Sequence, residues 1–416
     1  MQSTHADPSL IDSPQAFQRL LATLALVVLG NSSMYVVSVV LPAVQDEFGV
    51  GRAGASLPYT LMMVSLGLGG LLTGRLADRH GLAPVLWLGA LAVLAGYVGA
   101  GLSGSIWVFG LAHAAMGLLG SAATFAPLMA DTALWWNRRR GIAVAVCASG
   151  NYVAGAIWPP VVQYGIDSFG WRPTYTALGL TCGAGMLLLS LCMRQRPPAI
   201  QTAEASDAAG TPQDRSRPFG MPTERAMALL CLAGVACCVA MSMPQVHIVA
   251  YCTDLGFGAA QGAKMLSLML ACGIVSRLVF GLICDRIGGI RTLLLGSALQ
   301  GIALMLFLPV DGLVPLYVVS ALFGLFQGGI VPTYAIIVRE YFPVREAGWR
   351  VGAVIMATLV GMALGGWASG WIFDLTGSYH AAFIHGIAWN LLNLAIAGWF
   401  YLRVRGGRAA VAAGAA

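Results

Sequence analysis

One arginine, Arg277, lies in the middle of a long apolar stretch, between Val275 and Leu278. A guanidinium near the centre of a bilayer costs on the order of 2.5–3.5 kcal/mol, so this charge needs a partner. The planar fork of arginine matches a carboxylate, and a charge-assisted hydrogen bond contributes roughly 1.5–3 kcal/mol. We therefore expect Arg277 to bind an anionic substrate. The alternative is a structural ion pair with Asp131, an acid at the end of a predicted helix.

A second group of side chains is a candidate to bind the substrate together with Arg277. His247, which follows Gln245, can donate a hydrogen bond to an anion or carry a proton, or it can be an ordinary buried histidine. Other polar and aromatic residues at mid-helix positions either line a cavity or bond neighbouring helices together. These further candidates for substrate binding are Asn31, Phe125, Asn151, Tyr152, Gln327 and Tyr334.

The composition identifies the surroundings of these residues as a lipid bilayer. Of the 416 residues, 58% are hydrophobic and only 10% are charged, and the mean hydropathy is +0.78. Soluble domains carry about 25% charged residues, so the composition excludes a soluble enzyme, a nucleic-acid-binding protein and a secreted disulfide scaffold. No CxxC, H-E-x-x-H or G-x-S-x-G pattern occurs. We expect no metal, no cofactor and no enzymatic activity.

Apolar runs long enough to cross the membrane determine the fold class. A helix needs about 20 apolar residues to span ~30 Å of hydrocarbon. The sequence predicts an all-α membrane protein with twelve such helices. The predicted helices are residues 19–43, 55–76, 83–103, 105–130, 141–163, 172–193, 226–252, 260–283, 290–309, 312–338, 348–372 and 380–403.

Loop composition predicts the domain organisation and the orientation. The polar stretch 194–225 is interpreted as a flexible linker between two six-helix bundles, residues 19–193 and 226–403. Nineteen of the 23 basic residues fall on one set of loops, three on the other and one within a helix. By the positive-inside rule, the tails 1–18 and 404–416 are both cytoplasmic. The polar N-terminal tail does not have the pattern of a cleaved signal peptide.

The sequence also repeats itself. Residues 74–81 read GRLADRHG and residues 281–288 read GLICDRIG, an offset of 207. The same offset carries Gly117 to Gly324 and Asp167 to Asp374. A duplicated six-helix unit is typical of transporters whose halves rock about a site at the midplane. The repeated loop residues are Gly74, Asp78, Arg79 and Gly81 in the first copy and Gly281, Asp285, Arg286 and Gly288 in the second.

The loop GRLADRHG resembles the G-x-L-a-D-r-x-G loop of the major facilitator superfamily, and its second copy occurs where that superfamily has one. The resemblance implies that both loops belong to an inner gate. There, Asp78 and Asp285 can pair with arginine or a helix N-terminus, while the glycines Gly74 and Gly281 let helices approach closely. A simple turn with solvated charges is the alternative. Two further residues assigned to this gate are Asp131 and Arg139.

Four segments resemble the monocarboxylate transporter branch of that superfamily more narrowly. They are residues 117–150, 159–172, 247–256 and 273–288, and the last two resemble its bacterial members. The resemblance implies a substrate role for Arg277 and supports one for His247. This chain departs from the branch where Ser38 replaces a lysine and Gly273 replaces an aspartate, both tied to proton coupling in animal members. Coupling must then use His247, use the protonated substrate, or be absent.

Together these observations predict a secondary active transporter in the cell inner membrane. We expect it to move a small organic anion, most simply a monocarboxylate, by alternating access as a functional monomer, with protons as a candidate coupling ion. Two alternatives remain from the sequence: an exporter of drugs or other metabolites with the same fold, and a membrane sensor that does not transport.

Overall fold

The computed structural model of the chain describes residues 10–195, 218–343 and 346–414, without the side chains of residues 140 and 407–414. Within these residues, twelve helical segments are long and apolar enough to cross a membrane. The prediction of an all-α membrane protein with twelve transmembrane helices is confirmed. The segments, numbered α1 to α12 along the chain, are Pro14–Phe48, Arg52–His80, Leu82–Gly101, Ile106–Trp135, Gly141–Phe169, Trp171–Met193, Thr223–Asp254, Ala259–Ile287, Gly289–Leu306, Leu313–Tyr341, Ala347–Thr376 and Tyr379–Gly406.

The edges of the predicted domains need correction. Helix α7 begins at Thr223, inside the stretch predicted as linker, and the helix that contains α12 continues to Gly414. Phe219 is also ordered, because its ring stacks on Phe400 with centroids 4.3 Å apart. These segments are polar at their ends, so hydropathy alone marks only their apolar middles. Residues 1–9 of the predicted N-terminal tail, residues 196–217 of the predicted linker and residues 415–416 lie outside the described residues.

Three of the helices are interrupted near the middle of the bundle. Helix α1 is interrupted at Asn31, and α10 is interrupted between Gln327 and Ile330. Helix α4 contains a π-helical turn at Met116–Ser121 and resumes after Phe125. Such interruptions leave backbone carbonyl groups without helical partners, and they are common at functional sites.

The sequence repeat is also a repeat in three dimensions. A Cβ atom added to Gly117 of α4 would lie 2.5 Å from the Met62 carbonyl oxygen of α2. A Cβ atom added to Gly324 of α10 would lie 2.0 Å from the Met269 carbonyl oxygen of α8. Both residues of each contact are related by the offset of 207, so the two halves use the same glycine to bring the same pair of helices together.

The two halves contact each other mainly toward one membrane face. We call this the outer face, because few basic residues occur on its loops. There, the Asp374 carboxylate of α11 accepts hydrogen bonds from the start of α2, and Thr60 of α2 donates to the Ala363 carbonyl oxygen of α11 at 3.2 Å. A second pair of helices also joins the two halves, because Ser267 of α8 donates to the Ala156 carbonyl oxygen of α5. The described conformation is therefore closed at the outer face.

The repeated loops lie at the inner face and are not engaged in this conformation. Asp78, Asp285 and their neighbouring arginines Arg79 and Arg286 are exposed and form no ion pair within the described part of the chain, and Arg139 is exposed as well. The expected close approach at Gly74 and Gly281 is wrong for this conformation, since a Cβ atom at either would meet nothing within 4 Å. The inner ends of α2 and α8 stand apart from the opposite half, so the loop charges predicted to hold the inner gate have no partner among the described residues.

The last glycine of each repeated loop has a conformational role. Gly81 ends α2 with φ +85°, and Gly288 ends α8 with φ +81°. This is the left-handed region, which a residue with a Cβ atom adopts only at a cost. Each loop is therefore built as a sharp helix end, whether or not its charges are paired.

The glycine contact between α8 and α10 predicts a position-specific loss of stability. Replacing Gly324 with Ala should destabilise the protein by roughly 1–3 kcal/mol, because the new methyl group overlaps the Met269 backbone. The measurement is thermal unfolding of the purified protein in detergent.

The matched control is Gly99→Ala in α3, where a Cβ atom meets nothing within 4 Å. This change should leave the melting temperature unchanged or raise it, since alanine favours helix by up to about 1 kcal/mol. Equal effects of the two substitutions would contradict the packing described for Gly324.

Candidate functional site

Arg277 joins three helices near the middle of the molecule. Its Nη1 donates to the Ala148 carbonyl oxygen of α5 at 2.8 Å, and its Nε donates to the Gly328 carbonyl oxygen at 3.4 Å. Gly328 lies in the interruption of α10, where its carbonyl group is available to accept. The guanidinium carbon also lies 4.4 Å from the centroid of the Tyr152 ring. The side chain therefore connects the C-terminal half, which carries it, to the N-terminal half.

Within the described residues, no side chain neutralises the positive charge of Arg277. No acidic side chain among the described residues bonds to it. Asp131, the acid that the sequence offered as an alternative partner, instead binds Arg19 through two hydrogen bonds of 2.9 and 3.0 Å. Arg19 and Asp131 are both buried, at 6% and 7% exposure. Asp131 thus stabilises the inner end of the N-terminal half and leaves the charge of Arg277 free.

On the side of the N-terminal half, Tyr152 contacts the guanidinium, and Tyr35 and Asn151 lie next to Tyr152. Tyr152 is buried against the guanidinium, and Tyr35 of α1 lies within electrostatic range of both Arg277 and Tyr152. Asn151 lies beside Tyr35, and its Oδ1 atom is buried without a hydrogen-bond partner. Of these residues, the sequence missed Tyr35. The available signal was a hydroxyl-bearing ring in an apolar helix, one turn after the interruption at Asn31.

Gly273 makes room for the tyrosine ring. A Cβ atom at Gly273 would lie 2.5 Å from Cε1 of Tyr152, closer than any real packing contact. Gly273 is the position where the monocarboxylate branch is expected to have an aspartate. In this protein, the Tyr152 ring occupies the space that a side chain at position 273 needs.

A pair of glutamines lies beside the interruption of α10. Gln245 of α7 donates through Nε2 to Oε1 of Gln327 at 3.1 Å. The Nε2 atom of Gln327 is buried and has no partner. Gln327 immediately precedes Gly328, whose carbonyl oxygen accepts from Arg277, so this donor lies next to the site along the chain. The sequence placed Gln327 among the candidates, and the structure adds Gln245.

His247 does not join this group. It is fully buried, its Nε2 lies 2.8 Å from the Gly366 carbonyl oxygen and its Nδ1 lies 3.2 Å from the Tyr379 hydroxyl. With the carbonyl as acceptor, Nε2 carries the proton and Nδ1 accepts from the tyrosine. Both ring nitrogens are therefore occupied in binding α7 to α11 and α12, which matches the ordinary buried histidine rather than a substrate ligand.

Two of the other candidates are engaged in hydrogen bonds within the helical bundle, and a third lies at a helix interruption. Tyr334 donates to the Ala233 carbonyl oxygen at 3.0 Å and to Asn393 at 2.9 Å, and it is fully buried. Asn31 donates to the Val27 carbonyl oxygen at 3.0 Å. Phe125 lies half-buried at the interruption of α4. The structure thus gathers Arg277, Asn151, Tyr152 and Gln327, and separates them from the remaining candidates.

The comparison with a family model decides the classification. The Major Facilitator Superfamily model matches residues 21–315 and 230–416. The chain belongs to this superfamily. Its relatives are transporters, so the protein is a membrane transporter and not an enzyme.

Individual relatives indicate which branch of the superfamily the chain resembles. It is 26% identical over 340 residues to monocarboxylate transporter 13 of Rattus norvegicus, a match that covers 79% of this chain and 75% of the relative. It is 28% identical over 325 residues to monocarboxylate transporter 11 of Homo sapiens, which covers 74% of this chain and 66% of the relative. The resemblance to the monocarboxylate transporter branch is confirmed.

Solved structures agree with the fold. An inward-facing, unoccupied bacterial homologue of the human lysosomal transporter Spinster superposes with a TM-score of 0.71 at 15% identity, covering 94% of this chain and 98% of that one. A point mutant of the nucleoside transporter NupG gives a TM-score of 0.73 at 14% identity, covering 93% of this chain and 100% of that one.

The contact between Gly273 and Tyr152 predicts a coupled effect on stability. Gly273→Ala should destabilise the protein by roughly 1–3 kcal/mol, because its methyl group overlaps the ring. In a Tyr152→Ala background the overlap is absent, so the same substitution should cost far less. A double-mutant cycle of thermal unfolding measures the difference. Additive costs would show that the ring does not lie against position 273.

Proposed function

We propose that this protein is a secondary active transporter that carries a small organic anion, specifically a monocarboxylate, across the cell inner membrane by alternating access. The observation that supports the proposal is the charge of Arg277, which no acidic side chain neutralises within the described residues. A carboxylate on the substrate provides the missing negative charge.

The present partners of Arg277 are suited to replacement by a substrate. Carbonyl oxygens are neutral acceptors, whereas a carboxylate forms shorter and stronger bonds with a guanidinium and accepts two of them in parallel. When the substrate takes over the donors, the bond from Arg277 to Ala148 is released. That bond connects α8 to α5, so binding of the anion removes one tie between the two halves and favours their movement.

The surrounding residues fit the remainder of a small organic acid. The Tyr152 ring provides an apolar and aromatic surface, and the unpartnered groups of Asn151 and Gln327 provide one acceptor and one donor. The names of two relatives, monocarboxylate transporters 11 and 13, support the same class of cargo. Proton coupling is part of the proposal, and the occupied ring nitrogens of His247 favour a proton route that does not use this histidine.

An exporter of drugs or other metabolites is the second candidate. The tyrosine rings near the site favour it, because aromatic faces attract cations and flat ligands. Tyr59, Tyr35 and Tyr152 are all buried in this part of the molecule. The free charge of Arg277 opposes a cationic ligand, so we rank this function below anion transport. Stabilisation of the purified protein by cations but not by carboxylates would reverse the order.

Substitution of Arg277 tests the proposed function. Arg277→Ala should reduce monocarboxylate uptake into proteoliposomes at least about 100-fold, because it removes the charge that the substrate neutralises. Arg277→Lys should reduce it at least about tenfold, since an ammonium cannot form the two parallel bonds. Both changes should also abolish stabilisation of the protein by carboxylates in thermal unfolding.

The matched control is Arg291→Ala, an exposed arginine near the inner end of α9. It should leave uptake and ligand-induced stabilisation near wild-type values. Normal uptake by both Arg277 variants would refute the proposed role. Stabilisation by carboxylates without any flux in the wild type would identify a sensor instead of a transporter.

A further inference from the structure

A cluster of charges closes the molecule at the outer face, away from Arg277. It consists of Arg52 at the start of α2, Asp254 at the end of α7 and Asp374 near the end of α11, and we call it the outer cluster. It connects the two halves, since α2 belongs to the N-terminal half and the other two helices to the C-terminal half.

Asp374 caps a helix of the opposite half. Its carboxylate oxygens accept hydrogen bonds from the backbone N–H groups of Arg52 and Ala53, at 2.7 and 2.9 Å. These are among the free donors at the N-terminus of α2, where the helix dipole also favours a negative charge. The approach depends on glycine, because a Cβ atom at Gly51 would lie 2.6 Å from the Asp374 carboxylate. The contact is therefore closely fitted and requires an ionised carboxylate.

The side chain of Arg52 adds an ion pair to this contact. Its Nη2 lies 2.5 Å from an oxygen of Asp254, and its guanidinium carbon lies 5.2 Å from the centroid of the Phe373 ring. Arg52 is only 6% exposed, and its Nε and Nη1 atoms are buried without partners. A buried arginine with unfilled donors holds its carboxylate only while that carboxylate is charged.

The sequence repeat does not account for this arrangement. Asp167 of α5 corresponds to Asp374 by the offset of 207, yet it accepts a hydrogen bond from Gln163 of its own helix at 2.8 Å. Ala259 at the start of α8 corresponds to Arg52. The charged contact thus occurs on one side of the outer face only, so it is an addition to the common scaffold.

We propose that the outer cluster is a proton-binding site that holds the outer gate shut until Asp374 takes up a proton from the outer face. Asp374 is exposed to solvent there, so a proton can bind its carboxylate oxygen directly. The neutral acid loses the charge that favours the start of α2. Opening then separates α2 from α11, and Asp254 can take up a second proton in the same way.

One other carboxylate, Asp254, lies in the same cluster as Asp374. The titratable and charged groups on the helices around it are Arg52 on α2, His247, Tyr251 and Asp254 on α7, and Tyr379 and His380 on α12, with Asp311 beside Tyr251. His247 and Tyr379 bond to each other, and His380 bonds to the Leu308 carbonyl oxygen. Asp374 provides a proton site in place of the lysine and the aspartate that Ser38 and Gly273 replace. Its role does not depend on the identity of the substrate.

A cysteine placed beneath the outer cluster reports whether the gate is open. Ser56 lies one helical turn inside Arg52 on the same face of α2 and is fully buried, so Ser56→Cys is a small change at a closed position. The measurement is the rate at which a methanethiosulfonate reagent labels this cysteine in purified protein. Labelling of protein without this cysteine gives the background rate. Dividing by the labelling rate of the unfolded protein at the same pH corrects for the pH dependence of the thiol's own reactivity.

Near neutral pH, Asp374→Asn should label at least about fivefold faster than the parent, because an amide cannot supply the charge-assisted bonds. Acidification to about pH 4, the ordinary titration range of aspartate side chains, should speed labelling of the parent but not of Asp374→Asn. The matched control is Asp167→Asn, which should behave like the parent. A circular-dichroism melt of each variant checks that it is folded.

Each other result overturns the proposal. Equal labelling of Asp374→Asn and the parent would show that the carboxylate does not hold the gate. Faster labelling of Asp374→Asn with an unchanged dependence on pH would show that the proton binds elsewhere. Faster labelling of Asp167→Asn would show that the effect does not belong to the outer cluster.

Discussion

A guanidinium enclosed by apolar helices must be surrounded by hydrogen-bond acceptors, or it costs several kcal/mol. Here the Ala148 and Gly328 carbonyl oxygens and the Tyr152 ring provide that surrounding. These groups are dipolar or aromatic and carry no net charge, so they solvate Arg277 without neutralising it. The interruption of α10 supplies the Gly328 carbonyl, and Gly273 supplies the space for the ring. Local backbone features therefore determine where the charge lies.

Two of the polar contacts between the described halves involve groups that bind a ligand in the proposed transport cycle, Arg277 and Asp374. In that proposed cycle, an anion competes for the bond between Arg277 and Ala148, and a proton competes for the bonds that Asp374 forms with α2. The other contacts between the halves include the hydrogen bonds from Thr60 to Ala363 and from Ser267 to Ala156, the ion pair of Arg52 with Asp254, and closely packed glycines. When the substrate and the proton each release a different contact between the halves, their transport is coupled, because the halves separate most easily when both contacts are released.

The fold was predictable from the sequence because its signals are one-dimensional: apolar length, loop charge and the offset of 207. Arg277 was predictable for the same reason, as a single charge within an apolar run. His247 was not, because its partners Gly366 and Tyr379 come from distant helices and only packing reveals them. The state of Asp78 depends on which face is closed, which a sequence does not specify. The pairing of Asp131 with Arg19 likewise connects residues that are far apart along the chain.

The distance between a substrate carboxylate and Arg277 tests the proposed function most directly. Solid-state NMR dipolar recoupling between 15N-labelled arginine and a 13C-carboxyl-labelled monocarboxylate gives this distance in the membrane-embedded protein. Subtracting the signal of the Arg277→Lys variant assigns the contact. We predict a nitrogen-to-carboxyl-carbon distance of about 4 Å, as expected for a paired guanidinium and carboxylate. No dephasing that depends on Arg277, with the ligand shown to be bound, would contradict the account.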